Sequence, residues 1–142
     1  LGSWEPGLAD YEYRLRPSPA LEIHRDLQVP RWNGEDISGR SILVVAEQGI
    51  GDQIRFLRDL HDLAALAGHM IVECSARLAP LFARSLPGVT IAPAIERQDG
   101  RRHLFDYDWL SGHEPADCHI EAGSVMLLLH RHGLPPDRPS RP

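Results

Sequence analysis

Apolar and polar positions alternate with different periods along the chain, and the changes of period mark its elements. From Leu1 to Arg16, Leu8, Tyr11 and Leu15 recur at steps of three and four, so this stretch predicts one helix, with Ser3 as its cap and Pro6 in the first turn. Residues 17–39 hold three prolines and two glycines with no sustained period and read as an extended connector. Then Ser41–Ala46, SILVVA, is continuously apolar and rich in β-branched residues, as a strand buried on both faces requires. Ile54, Leu57, Leu60, Leu63, Ala64 and Ala67 outline one face of a following helix, which Gly68 can stop. A second strand, HMIVEC (His69–Cys74), leads through Ser75, a plausible cap, to a second helical face of Leu78, Leu81, Phe82 and Leu86. A short third strand lies in PGVTIAP.

Strand, helix, strand, helix, strand with short connections predicts an α/β fold, a Rossmann-like parallel sheet flanked by helices with right-handed crossovers. After Pro93 the pattern fades through the polar AIERQDGRR. It returns in HLFDYDWL and in GSVMLLLHRHG, a helix with Ser124 as cap and Gly133 as stop. The expected organisation is therefore a helical segment over 1–16, a connector over 17–39, a Rossmann-like domain over 40–134 and a linker over 135–142. A linker directly after a few β–α units suggests a piece of something longer.

Composition removes several classes of function. The net charge is −5 with 15 basic residues, all of them arginine, and 20 acids, so no basic stripe is offered to nucleic acid. No apolar run approaches the ~18 residues of a membrane span, and the first residues lack the regions of a signal peptide. Cys74 and Cys118 stand far apart, with neither metal spacing nor a disulfide framework, which fits a cytoplasmic protein. No metal site is expected. Asp106 and Asp108 in FDYDW read as a solvated loop, and His130 and His132 cannot share a helix face.

The chemistry concentrates in VVAEQGIGDQIRF, Val44–Phe56, where a strand turns into a helix through Glu47, Gln48, Gly49, Gly51 and Asp52. Backbone N–H groups and the helix dipole at such a turn can hold an anion, and the two glycines allow close approach. A dinucleotide fingerprint would need a third glycine where Ile54 stands, although Glu73 lies near the spacing of a ribose-binding acid. Asp52 in the first helical turn would repel a pyrophosphate, and without Gly-Lys-Ser/Thr there is no P-loop. Facing the crevice at the carboxyl ends of the strands, Asp52 can instead act as a general base. Otherwise it is an acid that complements the dipole.

AEQGIGDQIRFLRDL, preceded by RWNGEDISGRSILVV and followed by AGHMIVECSARLAPLFARSLPGV, resembles the glycosyltransferase-like region that follows tetratricopeptide repeats in bacterial proteins. LGSWEPGLADYEYR resembles the end of the last such repeat, so the likeness covers about the first two-thirds of the chain. That region is related to the heptosyltransferases. The resemblance implies the N-terminal, acceptor-side half of a two-domain GT-B architecture, with a nucleotide-sugar donor held by a second domain outside this chain and no other cofactor. It also implies that Asp52, in the Gly51-Asp52 pair, deprotonates an acceptor hydroxyl. Glu47 and Gln48 contact ligand or lock the turn, beside Gly49 and Gly51. HIEAGSV is similar to a family segment whose Gly-Ser opens a helix, which makes Ser124 a further ligand contact or a cap. The acceptor is unspecified, and the preceding repeats imply a protein partner. The alternatives are a non-catalytic scaffolding domain of the same fold and a dinucleotide-binding oxidoreductase.

Overall fold

The computed structural model describes residues 4–18, 22–47, 49–112 and 115–134. Ser3, Gln48 and the 135–142 tail, named above as cap, ligand contact and linker, lie outside them. Four strands form the main sheet: β2 (Ser41–Val45), β3 (His69–Cys74), β4 (Thr90–Pro93) and β7 (Cys118–Glu121). All are parallel, in the order β4-β3-β2-β7, and Ile42 and Met70 are partners in adjacent strands. The fold is therefore α/β and Rossmann-like, as the alternation of elements predicts.

Handedness explains which face each connection covers. From β2 through α2 (Ile50–Leu66) to β3, and through α3 (Ala79–Ser85) to β4, the chain steps in one direction, so right-handed crossovers put both helices on one face. Ile42, Val44, Met70, Val72, Cys118 and Ile120 point into that face. They pack with Phe56, Leu60 and Leu63 of α2, Phe82 of α3, and Val125, Leu128 and Leu129 of α4 (Val125–Arg131). From β4 to β7 the chain steps back across the sheet, and the same handedness sends that connection over the other face. There Leu43, Val45, Ile71 and Ala92 meet Tyr107, with Leu27, Phe105, Trp109 and Leu110 around them.

The expected face of α2 packs on the core through Leu57, Leu60, Leu63 and Ala64, and burial corrects it at one position. Ile54 is 45% exposed, whereas Phe56 is almost fully buried. The buried stripe runs through Gln53, Phe56, Leu60 and Leu63, rotated from the Ile54 line, and each of its three apolar members contributes about 1.5–3 kcal/mol. Ser75 does not cap α3, which begins four residues later with Pro80 in its first turn. The polar segment after Pro93 is a hairpin of β5 (Ile95–Asp99) and β6 (Arg102–Asp106), turning at Gly100 with φ of 61°. Within residues 17–39, β1 (Glu22–Arg25) joins β6 in parallel, which completes a second, three-stranded sheet.

The N-terminal helix α1 (Trp4–Tyr11) passes into a 3-10 turn over Glu12–Leu15. Further on, residues 30–32 run beside β7, with Trp32 N–H donating to the His119 carbonyl at 2.7 Å. Trp32 is fully buried and stacks on His132 at 5.8 Å between ring centroids, so it anchors the segment to the domain. No helix among the described residues is long and apolar enough to cross a membrane.

Candidate functional site

Counted by appearance in the chain, the main sheet has the order 3-2-1-4, and its direction of winding reverses between β2 and β7. Connections diverge at such a switch point and leave a crevice beyond the strand ends, where open α/β sheets bind ligands. Here the N-terminal segment occupies it. Arg14 forms a two-pronged pair with Glu47, just after β2, at 3.0 Å (Nε to Oε1) and 2.8 Å (Nη2 to Oε2), and also donates to Ser124 Oγ at 2.8 Å. Gly123 N–H donates to Glu47 Oε2 at 2.8 Å, and a Cβ on Gly123 would come within 2.9 Å of the guanidinium. Glycine at 123 is thus what lets Arg14 seat.

Glu12 extends the network. It accepts from Arg14 at 2.9 Å, from Ser124 Oγ at 2.7 Å and from Arg31 at 2.8 Å, while Arg31 also donates to Glu121 at 2.7 Å. Burial works against ionisation of Glu12, but the Ser124 hydroxyl and the guanidinium groups of Arg14 and Arg31 outweigh it and hold the carboxyl below its ordinary range. The Arg14 and Glu47 side chains are each 11% exposed, so this is a largely desolvated cluster, costly to break by halves.

Beside this plug, the inner face of the small sheet roofs the carboxyl ends of β2, β3 and β4. The cavity, open to solvent on one side, is about 430 Å³, with Ala46, Ser75, Gln53 and Ala94 below and Ile23, Arg25, Glu96, His103 and Phe105 above. Behind its Arg25 and Ala46 lies Glu73. That fully buried carboxylate accepts from Arg25 at 2.8 Å, from the Ala46 N–H at 2.9 Å and from the Tyr107 hydroxyl at 3.3 Å. Arg25 also donates to the Ala46 carbonyl and to Tyr107 Oη, and lies 3.9 Å from the centre of the Phe105 ring. Burial, with Glu73 beside it, pushes the Tyr107 phenol well above its ordinary value, so it stays a neutral donor. Glu73 Oε1 has no hydrogen-bond partner among the described residues. Glu73 therefore fixes the small sheet to the main one and is not presented to a ribose.

The residues proposed from sequence divide between these places. Glu47 lines the roofed cavity and pairs with Arg14. Ser124 makes no side-chain cap to α4, contrary to that expectation, because Arg14 and Glu12 take its hydroxyl. Gly49 and Gly51 are exposed, with nothing near the positions their Cβ atoms would take. Asp52 is half-buried in the first turn of α2 and does not line the cavity, whereas the next residue, Gln53, does and accepts from Ser75 N–H at 2.9 Å. Asp106 Oδ1 accepts from the Asp108 N–H at 2.8 Å, a local turn. Among the described residues no group of three or more His, Cys, Asp or Glu is arranged to hold a metal. Arg14, Arg25, Glu96 and His103 carry no motif; their partners lie up to 110 residues away for Arg14 and 82 for Arg25.

No protein-family model matches this chain, and no solved structure matches it. Among curated proteins it is similar to Protein FlbA of Caulobacter vibrioides, 36% identical over 127 residues, which cover 75% of this chain and 20% of FlbA. The chain thus spans about a fifth of the length of that relative.

Proposed function

We propose that this chain is the acceptor-side half of a bacterial sugar-transferring enzyme of GT-B type, in which a second Rossmann-like half supplies the nucleotide-sugar donor. The observation that carries the reading is the 3-2-1-4 parallel sheet with a roofed cavity at its carboxyl ends, where Gly49 leads into α2 and Asp52 stands in its first turn. A relative of which the matched part covers only 20% leaves room for a donor half and for preceding repeats that bind protein. In this mechanism Asp52 takes the proton of an acceptor hydroxyl as its oxygen attacks the anomeric carbon. The bond to the nucleotide diphosphate breaks, and donors of the other half stabilise the departing charge.

A second reading, a non-catalytic binding domain of cytoplasmic repeat proteins, is favoured by one observation. Arg14 fills the switch point with ion pairs, and Asp52 stands outside the cavity. A dinucleotide has less support, since Ile54 stands where its fingerprint needs a third glycine and Glu73 is engaged by Arg25. Incubating the longer protein with a panel of nucleotide sugars and following nucleoside diphosphate release separates the two readings. Sugar-dependent release supports transfer. Its absence across the panel, with the protein folded, supports the binding domain.

A further inference from the structure

Two cavities border the carboxyl-end crevice: one of about 900 Å³ beside Arg14, Glu47 and Glu121, and the smaller one under the small sheet, whose roof carries an acid–base pair. Ile23 is the register partner of His103, Phe105 that of Glu96, and His103 that of Gln98. These side chains therefore share one face of the sheet, the face that closes the cavity. On that face His103 Nδ1 is hydrogen-bonded to Glu96 Oε1. An ionised carboxylate only accepts, so Nδ1 must donate. In the neutral ring this leaves the lone pair on Nε2, the tautomer of a histidine oriented by a carboxylate for proton transfer. Gln53, Ser75 and the Phe105 ring, on the same cavity, suit a small molecule with hydroxyl groups and an apolar face.

We infer that His103, oriented by Glu96, is a general base of this cavity, acting on the O–H of water or of a hydroxylated ligand. As Nε2 takes the proton, the oxygen forms a bond to an electrophilic carbon, the bond to the leaving group breaks with its electron pair, and the imidazolium returns the proton to the leaving group or solvent. Glu96 offsets the transient positive charge. His24 provides the contrast. It pairs with Glu22 at 3.7 Å but lies on the opposite face of the small sheet, where its side chain is 58% exposed.

Because the ligand is unidentified, the probe is p-nitrophenyl acetate, hydrolysed by the 142-residue chain itself. Water attacks the acetyl carbon and p-nitrophenolate leaves. Saturable hydrolysis is expected, falling about 10-fold or more in His103→Gln, severalfold in Glu96→Gln, and not at all in His24→Gln. Nitrogen NMR of the wild-type ring gives a second readout that requires no variant. His103 is expected as the Nδ1–H tautomer, mixed with the other tautomer in Glu96→Gln. Hydrolysis that rises linearly with ester, or that falls equally in His103→Gln and His24→Gln, marks an ordinary surface imidazole and overturns the inference, as does an Nε2–H tautomer in the wild type. The reaction contains no sugar nucleotide, so its failure is distinguishable from failure of the sugar-transfer reading.

Discussion

At the scale of single residues, Arg14 decides more than any other side chain. Replacing it with methionine keeps much of its length but leaves Glu47 desolvated without its counter-ion and Glu12 with Arg31 alone. A half-removed buried pair costs about 3–5 kcal/mol, and the slight exposure of this one lowers the expected loss to about 2–3 kcal/mol in urea denaturation. A loss under about 0.5 kcal/mol would identify it as a surface pair of little consequence. Glu12 gives the network a pH signature. Its folded pKa lies below the unfolded one, so its contribution is present above the ordinary carboxylate range and is lost as pH falls through the lowered value. Glu12→Gln should therefore flatten the acid side of the stability profile, as followed by thermal melts between neutral pH and about pH 3. Cys74 makes the opposite case. Burial, with Glu73 adjacent, pushes its thiol up to about 11, so Ellman's reagent at pH 8 should titrate it only after denaturation. Glu47 and Ser124 were marked by the sequence, but their pairing with Arg14 was not. An arginine in a helical N-terminal stretch reads as a solvated charge, and only the tertiary fold shows that Glu47 and Ser124 complete it.

At the scale of elements, the readable parts were those whose burial imposes a single period. The runs at Ser41–Val45 and His69–Cys74 are buried almost throughout, so sterics and desolvation wrote them as unbroken apolar stretches. The β5–β6 hairpin escaped because it is largely solvated, every residue of β5 being exposed. Its residues are mostly polar, and only the Asp99-Gly100 step hinted at a turn. On the α2 face only Ile54 was misread, an apolar residue on the solvent side, while Gln53 took the inward position to reach Ser75. One junction offers a sharp test of packing. A Cβ on Gly68, between α2 and β3, would sit 2.5 Å from the backbone of Gly39, which no rotamer change can relieve. Gly68→Ala should cost about 1–3 kcal/mol, as overpacking does, whereas Gly7→Ala, in open space within a helix, should be neutral or stabilising. Equal denaturation midpoints for the two variants would contradict the close approach.

At the scale of the whole molecule, one reversal of winding organises everything else. It sends the β4–β7 connection across the face opposite the helices, where the small sheet can roof the strand ends, and it opens the switch point that Arg14 fills. The α/β alternation announced the sheet but not this plug, because the connector that supplies β1 and the Arg31 contacts has no period of its own. If the chain is the acceptor half alone, calorimetry should find no micromolar binding of nucleotide sugars to it, and saturable binding would place the donor site in the wrong half. The sugar-transfer account turns most directly on Asp52, measured in the longer protein as the Asp52→Asn variant for turnover and melting temperature together. A positioned base predicts turnover lower by about 100-fold or more at nearly unchanged donor affinity. A variant that keeps near wild-type turnover and loses only about 0.3–1 kcal/mol of stability would make Asp52 a helix-start acid and contradict the account.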